Sequence, residues 1–439
     1  MRESEDDRGR PSNHRREPTL SRLPLVAAAP WWQSPPSLAD SDRFKFFVTC
    51  ARGTEGALRR ELVALRIGSP RGDTGGVWFE GPLRMGMAVC LHARVAVRVL
   101  LQIATFDAPT ADALYDGTRA VDWSAWLSTR STLAVHATIR AGAPGERPPV
   151  SGQLTHSGFA ALKVKDAVVD VLRDKLGARP DVDAHDPDVG LVLHLSGERA
   201  GLFLDLAGEP LHRRGYRVAM TDAPLKETLA AAVLALGGLR DDAAAALPMV
   251  DPMGGSGTLV IEQALAARGL PPGLSRRFGF TRWPAFAGAP DAAWRALVAE
   301  AREQGAAARA RPLPAPIVYG DADAQALAAA RKNAAAAGVE QDIQFQRADV
   351  GDLQPRWPAA TVCTNPPYGE RMHDRDLAVT YRRMATAFHR LAGWGVVVLS
   401  GHPLLAREMR IKPRISHRLF NGPLEVRLLR YEIGAQDRI

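Results

Sequence analysis

The sequence predicts a doubly wound, mostly parallel α/β sheet in the C-terminal half, preceded by a smaller α+β module. Three observations predict it. From residue 247 onward, apolar strand candidates alternate with amphipathic helices, the pattern of βαβ units. A glycine-rich stretch joins the first of those strands to the helix that follows, as in nucleotide-binding sheets. The chain has 439 residues, two to three times a typical single domain. Hydrophobic residues at 46% and charged residues at 24% are ordinary for folded protein and exclude a chain disordered throughout.

Residues 1–42 hold six arginines and seven acids among many Pro and Ser, with no periodic apolar pattern, and read as a disordered tail. Residues 43–215 read as one α+β module. Its strands are expected at 46–49, 77–79, 95–103, 133–139, 191–195 and 202–206, forming a small mixed sheet; its helices are expected at 56–65, 82–91 and 163–176. A Gly/Pro-rich turn is expected at 141–152. Residues 216–439 form the second unit. Pro224 should open a helix at 225–236, and a loop at 240–246 should lead into strands at 247–250, 317–320, 343–346, 360–364 and 395–400. Helices are expected between them at 258–268, 324–337 and 377–391. Asn421-Gly422 marks a hairpin between strands at 416–420 and 424–433, pairing antiparallel at the sheet's edge.

Lys+Arg exceed Asp+Glu by 56 to 48, a net charge of +8 that suits a polyanionic partner. The tail is nearly neutral, so the excess lies in the folded part. Cys50, Cys90 and Cys363 contain no C-x-x-C pair, which indicates neither a disulfide framework nor a zinc ribbon and fits a reducing cytoplasm. The eleven histidines show no ligand spacing, so no metal site is expected. The longest apolar run, 228–239, is about half of the roughly 20 residues a bilayer helix needs, so no membrane association is expected. Residues 23–29 are too short and wrongly flanked for a signal peptide.

The sharpest motif is Asp251-Pro252-Met253-Gly254-Gly255-Ser256-Gly257-Thr258, directly between a strand and a helix. Glycines there let backbone approach a ligand, and the helix N-terminus offers free N–H donors. Asp251 would repel a phosphate and attract an amino group or a sulfonium, and S-adenosylmethionine carries both. No G-x-x-x-x-G-K-[ST] and no G-x-S-x-G are present, which excludes those routes to phosphoryl transfer and serine hydrolysis. Asp321, with Asp323 as the lesser candidate, ends the next strand where a ribose diol is held. The roughly 70 residues between glycine loop and acid exceed the about 20 of the standard fingerprint, so 269–316 is an insertion whose Arg276, Arg277 and Trp283 either cover the sheet or touch substrate. Asp349 is placed to accept from an adenine amine, or simply to cap a turn.

Asn365-Pro366-Pro367-Tyr368 after the fourth strand is the second strong signal. An Asn carboxamide accepts from an exocyclic amine, and the prolines stiffen the loop while leaving carbonyls free to accept the amine's other proton. Base amines are poor nucleophiles, so holding the nitrogen and aiming it at an electrophilic methyl would accelerate transfer. Tyr368 could stack on the base.

Here the chain resembles the class I methyltransferases joined to a THUMP domain, specifically the RlmL-like 23S rRNA guanine-N2 methyltransferases. The resemblance rests on residues 251–258, 320–323 and 365–371, and on further blocks at 163–168, 211–217, 223–228 and 419–425, and it covers about residues 44 to 433. It implies a Rossmann-like sheet preceded by a ferredoxin-like segment and a THUMP RNA-binding domain, S-adenosylmethionine as donor, and a loop presenting the guanine amine. The family usually has Cys where this chain has Gly254, which should change packing beside the cofactor. Arg213, Arg214, Arg217, Arg276, Arg277 and Arg371, with the seven Lys/Arg among residues 407–430, are candidate phosphate contacts. The target base must leave its stack to reach the loop. The other readings are a tRNA guanine-N2 methyltransferase, an adenine-N6 methyltransferase, which the same loop would serve, and an inactive RNA-binding assembly factor.

Overall fold

The computed structural model describes residues 43–140, 152–221, 224–368 and 374–435. The expected tail, most of the 141–152 turn and Arg371 lie outside the described residues.

The N-terminal elements are β1 (Phe44–Thr49), α1 (Glu55–Ala64), β2 (Arg71–Asp73), β3 (Gly76–Gly81), α2 (Leu83–His92), β4 (Arg98–Asp107), α3 (Ala111–Arg119), β5 (Thr132–Arg140), α4 (Ser157–Leu176), β6 (Asp181–Val182), β7 (Val189–Ser196) and β8 (Arg199–Asp205). Their strands form one eight-stranded sheet in the order β2-β3-β1-β4-β8-β7-β5-β6. It is larger than the small sheet expected from sequence, because β4 pairs antiparallel with β8 over almost its whole length and fuses the first segment to the second. Only the β5–β6 and β5–β7 pairs are parallel. α3 begins where the Thr110 hydroxyl accepts from the Ala113 N–H, and α4 stops at Gly177 in the left-handed conformation.

The C-terminal elements are α5 (Glu227–Leu236), α6 (Asp242–Ala245), β9 (Met249–Asp251), α7 (Thr258–Ala267), α8 (Ala289–Arg309), β10 (Ile317–Asp321), α9 (Ala324–Ala337), β11 (Ile343–Arg347), β12 (Thr361–Thr364), α10 (Asp374–His389), β13 (Gly395–Ser400), α11 (Pro403–Met409), β14 (Ile415–Asn421) and β15 (Leu424–Glu432). The seven strands run β11-β10-β9-β12-β13-β15-β14. The first five are parallel, and β15 returns antiparallel between β13 and β14. β13 is buried throughout, as a central parallel strand covered on both faces must be. Val396 and Val398 point into the core under α10, whereas Val397 and Leu399 join a second core on the other face.

That second core continues without a break into the N-terminal sheet. At the junction Arg94 is 9% exposed and donates to the carbonyls of Leu265 and Leu270, while its own carbonyl accepts from Arg214. The segment taken as an insertion lies here. The Gly273 N–H donates to the Leu91 carbonyl, Trp283 meets Trp126 edge to face with centroids 6.0 Å apart, and α8 packs on α2. α8 escaped the sequence reading because it buries only Leu297, Ala301 and Gly305, too thin an apolar stripe to register. Pro224 does not open α5: Lys226 precedes the first helical residue, Glu227. Among the described residues no helix is long and apolar enough to cross a membrane.

Candidate active site

Strand β9 lies between β10 and β12, so the chain winds away from it in both directions and opens a crevice at the carboxyl ends of the strands. The glycine loop follows β9 and Asn365 follows β12. The two loops are tied directly, because the Thr364 hydroxyl donates to Asp251 Oδ1 at 2.7 Å. Asp251 is 1% exposed, and burial, reinforced by the negative charge of Asp321, raises its pKa to about 7 despite the Thr364 and Met253 hydrogen bonds. It therefore reaches a ligand through its field and through the loops it joins, more than by open contact.

The loop backbone requires its glycines. Gly255 and Gly257 sit at φ +53° and +84°, and a Cβ at Gly254 would collide with the Tyr319 ring. Tyr319 fills that space and donates its hydroxyl to the Gly255 carbonyl at 2.7 Å. Thr258 starts α7. Beneath it, Arg217 donates to Ser256 Oγ at 2.8 Å, Thr258 Oγ1 at 3.0 Å and Glu227 Oε1 at 2.8 Å. Asn333, fully buried in α9, accepts from the Val218 and Ala219 N–H groups and donates to the Ser256 carbonyl. Sequence reading missed Asn333; its one signal was an Asn inside an alanine-rich helix.

Asp321 ends β10 with both oxygens on backbone, Oδ2 accepting from Gly255 and Oδ1 from Asp323, each at 2.9 Å. Carboxylate oxygens have two lone pairs each, so acceptor capacity remains. Asp323 is exposed and caps α9 through the Gln325 N–H. Asp349 Oδ1 accepts from the Gly351 N–H at 2.7 Å and from Arg383 at 2.8 Å, so this oxygen caps a turn.

Among the described residues of the two loops, Asn365 presents the one side chain whose acceptor is shielded from solvent and without a partner: its Oδ1. Tyr368 is 9% exposed, lies against Gly401, and accepts at its hydroxyl from Asn421 Nδ2 at 3.0 Å. Pro366 is buried beside them, and the Pro367 carbonyl accepts from Tyr381 at 2.8 Å. The carbonyl of Pro367 is thus engaged by the protein, contrary to the expectation that both prolines leave theirs free.

The basic candidates divide. Arg213 and Arg277 are exposed, Arg213 paired with Glu209 at 2.6 Å. Arg214 is 4% exposed and bonded to Glu262 and two carbonyls, so it is no surface contact. Arg217 is spent on the glycine loop as above. Arg276 donates to the carbonyls of Ala207, Glu209, Pro210 and Arg213 and lies over Phe278. Arg214 and Arg276 hold the junction of the two sheets together; buried carbonyls without donors are costly, and a guanidinium satisfies several at once.

A crevice at the reversal of a doubly wound sheet, with a glycine loop on one side and an Asn-Pro-Pro-Tyr loop on the other, defines a class I methyltransferase domain. Family comparison adds the rest. Residues 214–430 match the RMKL-like methyltransferase domain, 108–205 the THUMP domain and 45–100 the RlmL ferredoxin-like domain, and the chain belongs to this family of THUMP-domain methyltransferases. A ribosomal RNA large subunit methyltransferase K/L from Syntrophotalea carbinolica is 41% identical over 399 residues, 89% of this chain and 54% of that protein. The chain spans about half the length of the curated relatives it matches. Among solved structures, a putative methyltransferase complexed with SAH aligns at TM-score 0.77 and 27% identity, over 90% of this chain and 99% of that one. A predicted N6-adenine-specific DNA methylase from Listeria monocytogenes aligns at 0.76 and 29%, over 89% and 97%.

Proposed function

We propose that this chain methylates the exocyclic N2 amine of an unpaired or flipped-out guanine in 23S rRNA, with S-adenosylmethionine as donor. The observation that carries the reading is the buried, unpartnered Asn365 Oδ1 beside the glycine loop. A shielded acceptor without a donor costs free energy, about 1–3 kcal/mol, and a substrate N–H removes that cost.

The residues present fit the cofactor. The N–H groups of Gly254, Gly255 and Gly257 are held by the Gly320 carbonyl, Asp321 and the Gly254 carbonyl and so shape the loop that faces the ligand, with Thr258 opening α7; Asp321 keeps lone pairs for a ribose diol, Asp349 is the candidate for the adenine amine, and Asp251 adds negative charge beneath. When bound, S-adenosylmethionine supplies an electrophilic methyl group. Asn365 accepts one amine hydrogen and turns the nitrogen's lone pair toward the cofactor side of the crevice. Tyr368, fixed by Asn421, and the rigid Pro366-Pro367 step keep that acceptor from relaxing away. The THUMP and ferredoxin-like matches and the names of the relatives support RNA, and 23S rRNA in particular.

The test incubates the protein with radiolabelled S-adenosylmethionine and undermethylated total RNA, separates the RNAs and digests the labelled species. N2-methylguanosine in 23S rRNA is expected. The same nucleoside in tRNA would overturn the rRNA assignment, and N6-methyladenosine would overturn the base.

A further inference from the structure

Where the β1–α1 turn meets β14, a groove of about 530 Å³ crosses from the ferredoxin-like segment to the catalytic domain. Arg52, Arg59, Arg418 and Phe420 line it. Phe420 lies between two guanidinium groups, with Arg52 4.5 Å and Arg418 5.4 Å from its ring centroid. The contact between the domains is close: Gly53, at φ +87°, packs against the Arg418 backbone, and a Cβ there would collide with the Arg418 carbonyl. The groove is therefore rigid across the junction.

Its charge is poised for an anion. The two acids in the lining are turned to internal donors, Glu55 to the Gly75 N–H and Asp73 to the Thr74 N–H and Trp78 indole. Arg418 sits directly opposite the exposed Arg427 in the β14–β15 register, and a single carboxylate, Glu425, pairs with Arg418 at 2.5 Å. Like charges facing each other across a strand pair are destabilising, and a bound phosphate relieves them. Guanidinium faces stacked on Phe420 leave their N–H edges for phosphate oxygens. The next residue, Asn421, is the one that fixes Tyr368.

We propose that this groove grips the phosphate backbone of single-stranded RNA beside the target nucleotide, one residue along the chain from the hydrogen bond that holds the catalytic loop. The proposal rests on the RNA-methyltransferase reading and adds a basic surface to the exposed Arg213 and Arg277, since Arg214, Arg217 and Arg276 are turned inward.

Anisotropy titrations of fluorescein-labelled twelve-nucleotide oligouridylate test it over a range of salt concentrations, comparing the wild type with Arg52→Gln/Arg59→Gln/Arg418→Gln. The triple variant should bind about tenfold more weakly, with the slope of log affinity against log salt reduced by about 2, near 0.7 for each lost phosphate contact. Lysine at the same three positions should restore most of the slope, which a merely structural role would not do. SAH binding by calorimetry and the melting temperature should stay at wild-type values. An unchanged affinity and slope in the glutamine variant overturn the groove, while wild-type labelling of RNA in the transfer assay keeps the enzymatic reading. A wild type that neither binds oligouridylate nor labels RNA overturns both. Equal binding of polyglutamate would make the groove a site for acidic protein and overturn the RNA proposal.

Discussion

The two loops that meet at the reversal of the sheet differ in how their polar groups are settled. In the glycine loop Asp251 holds Thr364, Asp321 holds Gly255, Ser256 and Thr258 receive Arg217, and the Ser256 carbonyl receives Asn333. In the other loop Tyr368 and the Pro367 carbonyl are engaged, but Asn365 Oδ1 is left alone. A binding surface that must present a fixed shape satisfies itself internally; a group that must act on a reacting atom is kept waiting for it. On the proposed function, this contrast predicts that the first loop sets cofactor affinity and the second sets turnover.

Asn365→Ala should break the contrast most visibly. Turnover should fall about 10²–10³-fold while the SAH dissociation constant, by calorimetry, stays within about a factor of two. An equal loss in both would show that the loops are one unit. Asp321→Ala should do the reverse, weakening SAH about tenfold or more by orphaning the Gly255 and Asp323 N–H groups, with turnover at saturation nearly kept. An unaltered constant would move the ribose contact to Asp323.

Asp251 sharpens the contrast through pH. Its carboxyl is raised from the ordinary 3.8 to about 7 by burial, so a cationic ligand binds best to its ionised form. SAH, which carries an ammonium, should bind more tightly at pH 8 than at pH 6, with proton uptake by buffer near pH 6; Asp251→Asn should flatten the profile. The same shift bears on stability. A folded-state pKa raised above the unfolded value gives a contribution fully present below about pH 4 and lost as pH rises to about 7. Thermal melts of Asp251→Asn between pH 4 and 8 should lack that component. Smallest is Asn421→Ala, which removes one hydrogen bond to Tyr368: about 1 kcal/mol, or roughly fivefold in turnover, with SAH affinity unmoved.

Much of this was legible because local signals agree with the fold. The β-α alternation, the glycine loop and the strand-end Asp and Asn positions all follow from short-range patterning, and the strands at 317–320, 343–346 and 395–400 fall where periodicity puts them. The eight-stranded sheet was hidden because β4 and β8 are separated by about a hundred residues, and no sequence period reports such pairing. The arginines were misread for a related reason. Arg214 and Arg276 look like surface charge in an Arg-rich chain, and only the tertiary fold shows them satisfying carbonyls at the junction. Asn365, by contrast, could be placed from its loop, but that its oxygen would be left unpartnered required the packing around it.

The buried guanidinium groups at that junction have a mechanical consequence. Sliding one sheet against the other would strip Arg94 and Arg214 of carbonyl partners in a dry interior, where an unpaired charge costs several kcal/mol. The span from the ferredoxin-like surface to Asn365 is therefore a fixed gauge. On the proposed function and groove, RNA whose target lies at the wrong reach from its anchored strand would not be accommodated by the protein stretching, so the tolerance for error would come from the flexibility of the RNA alone.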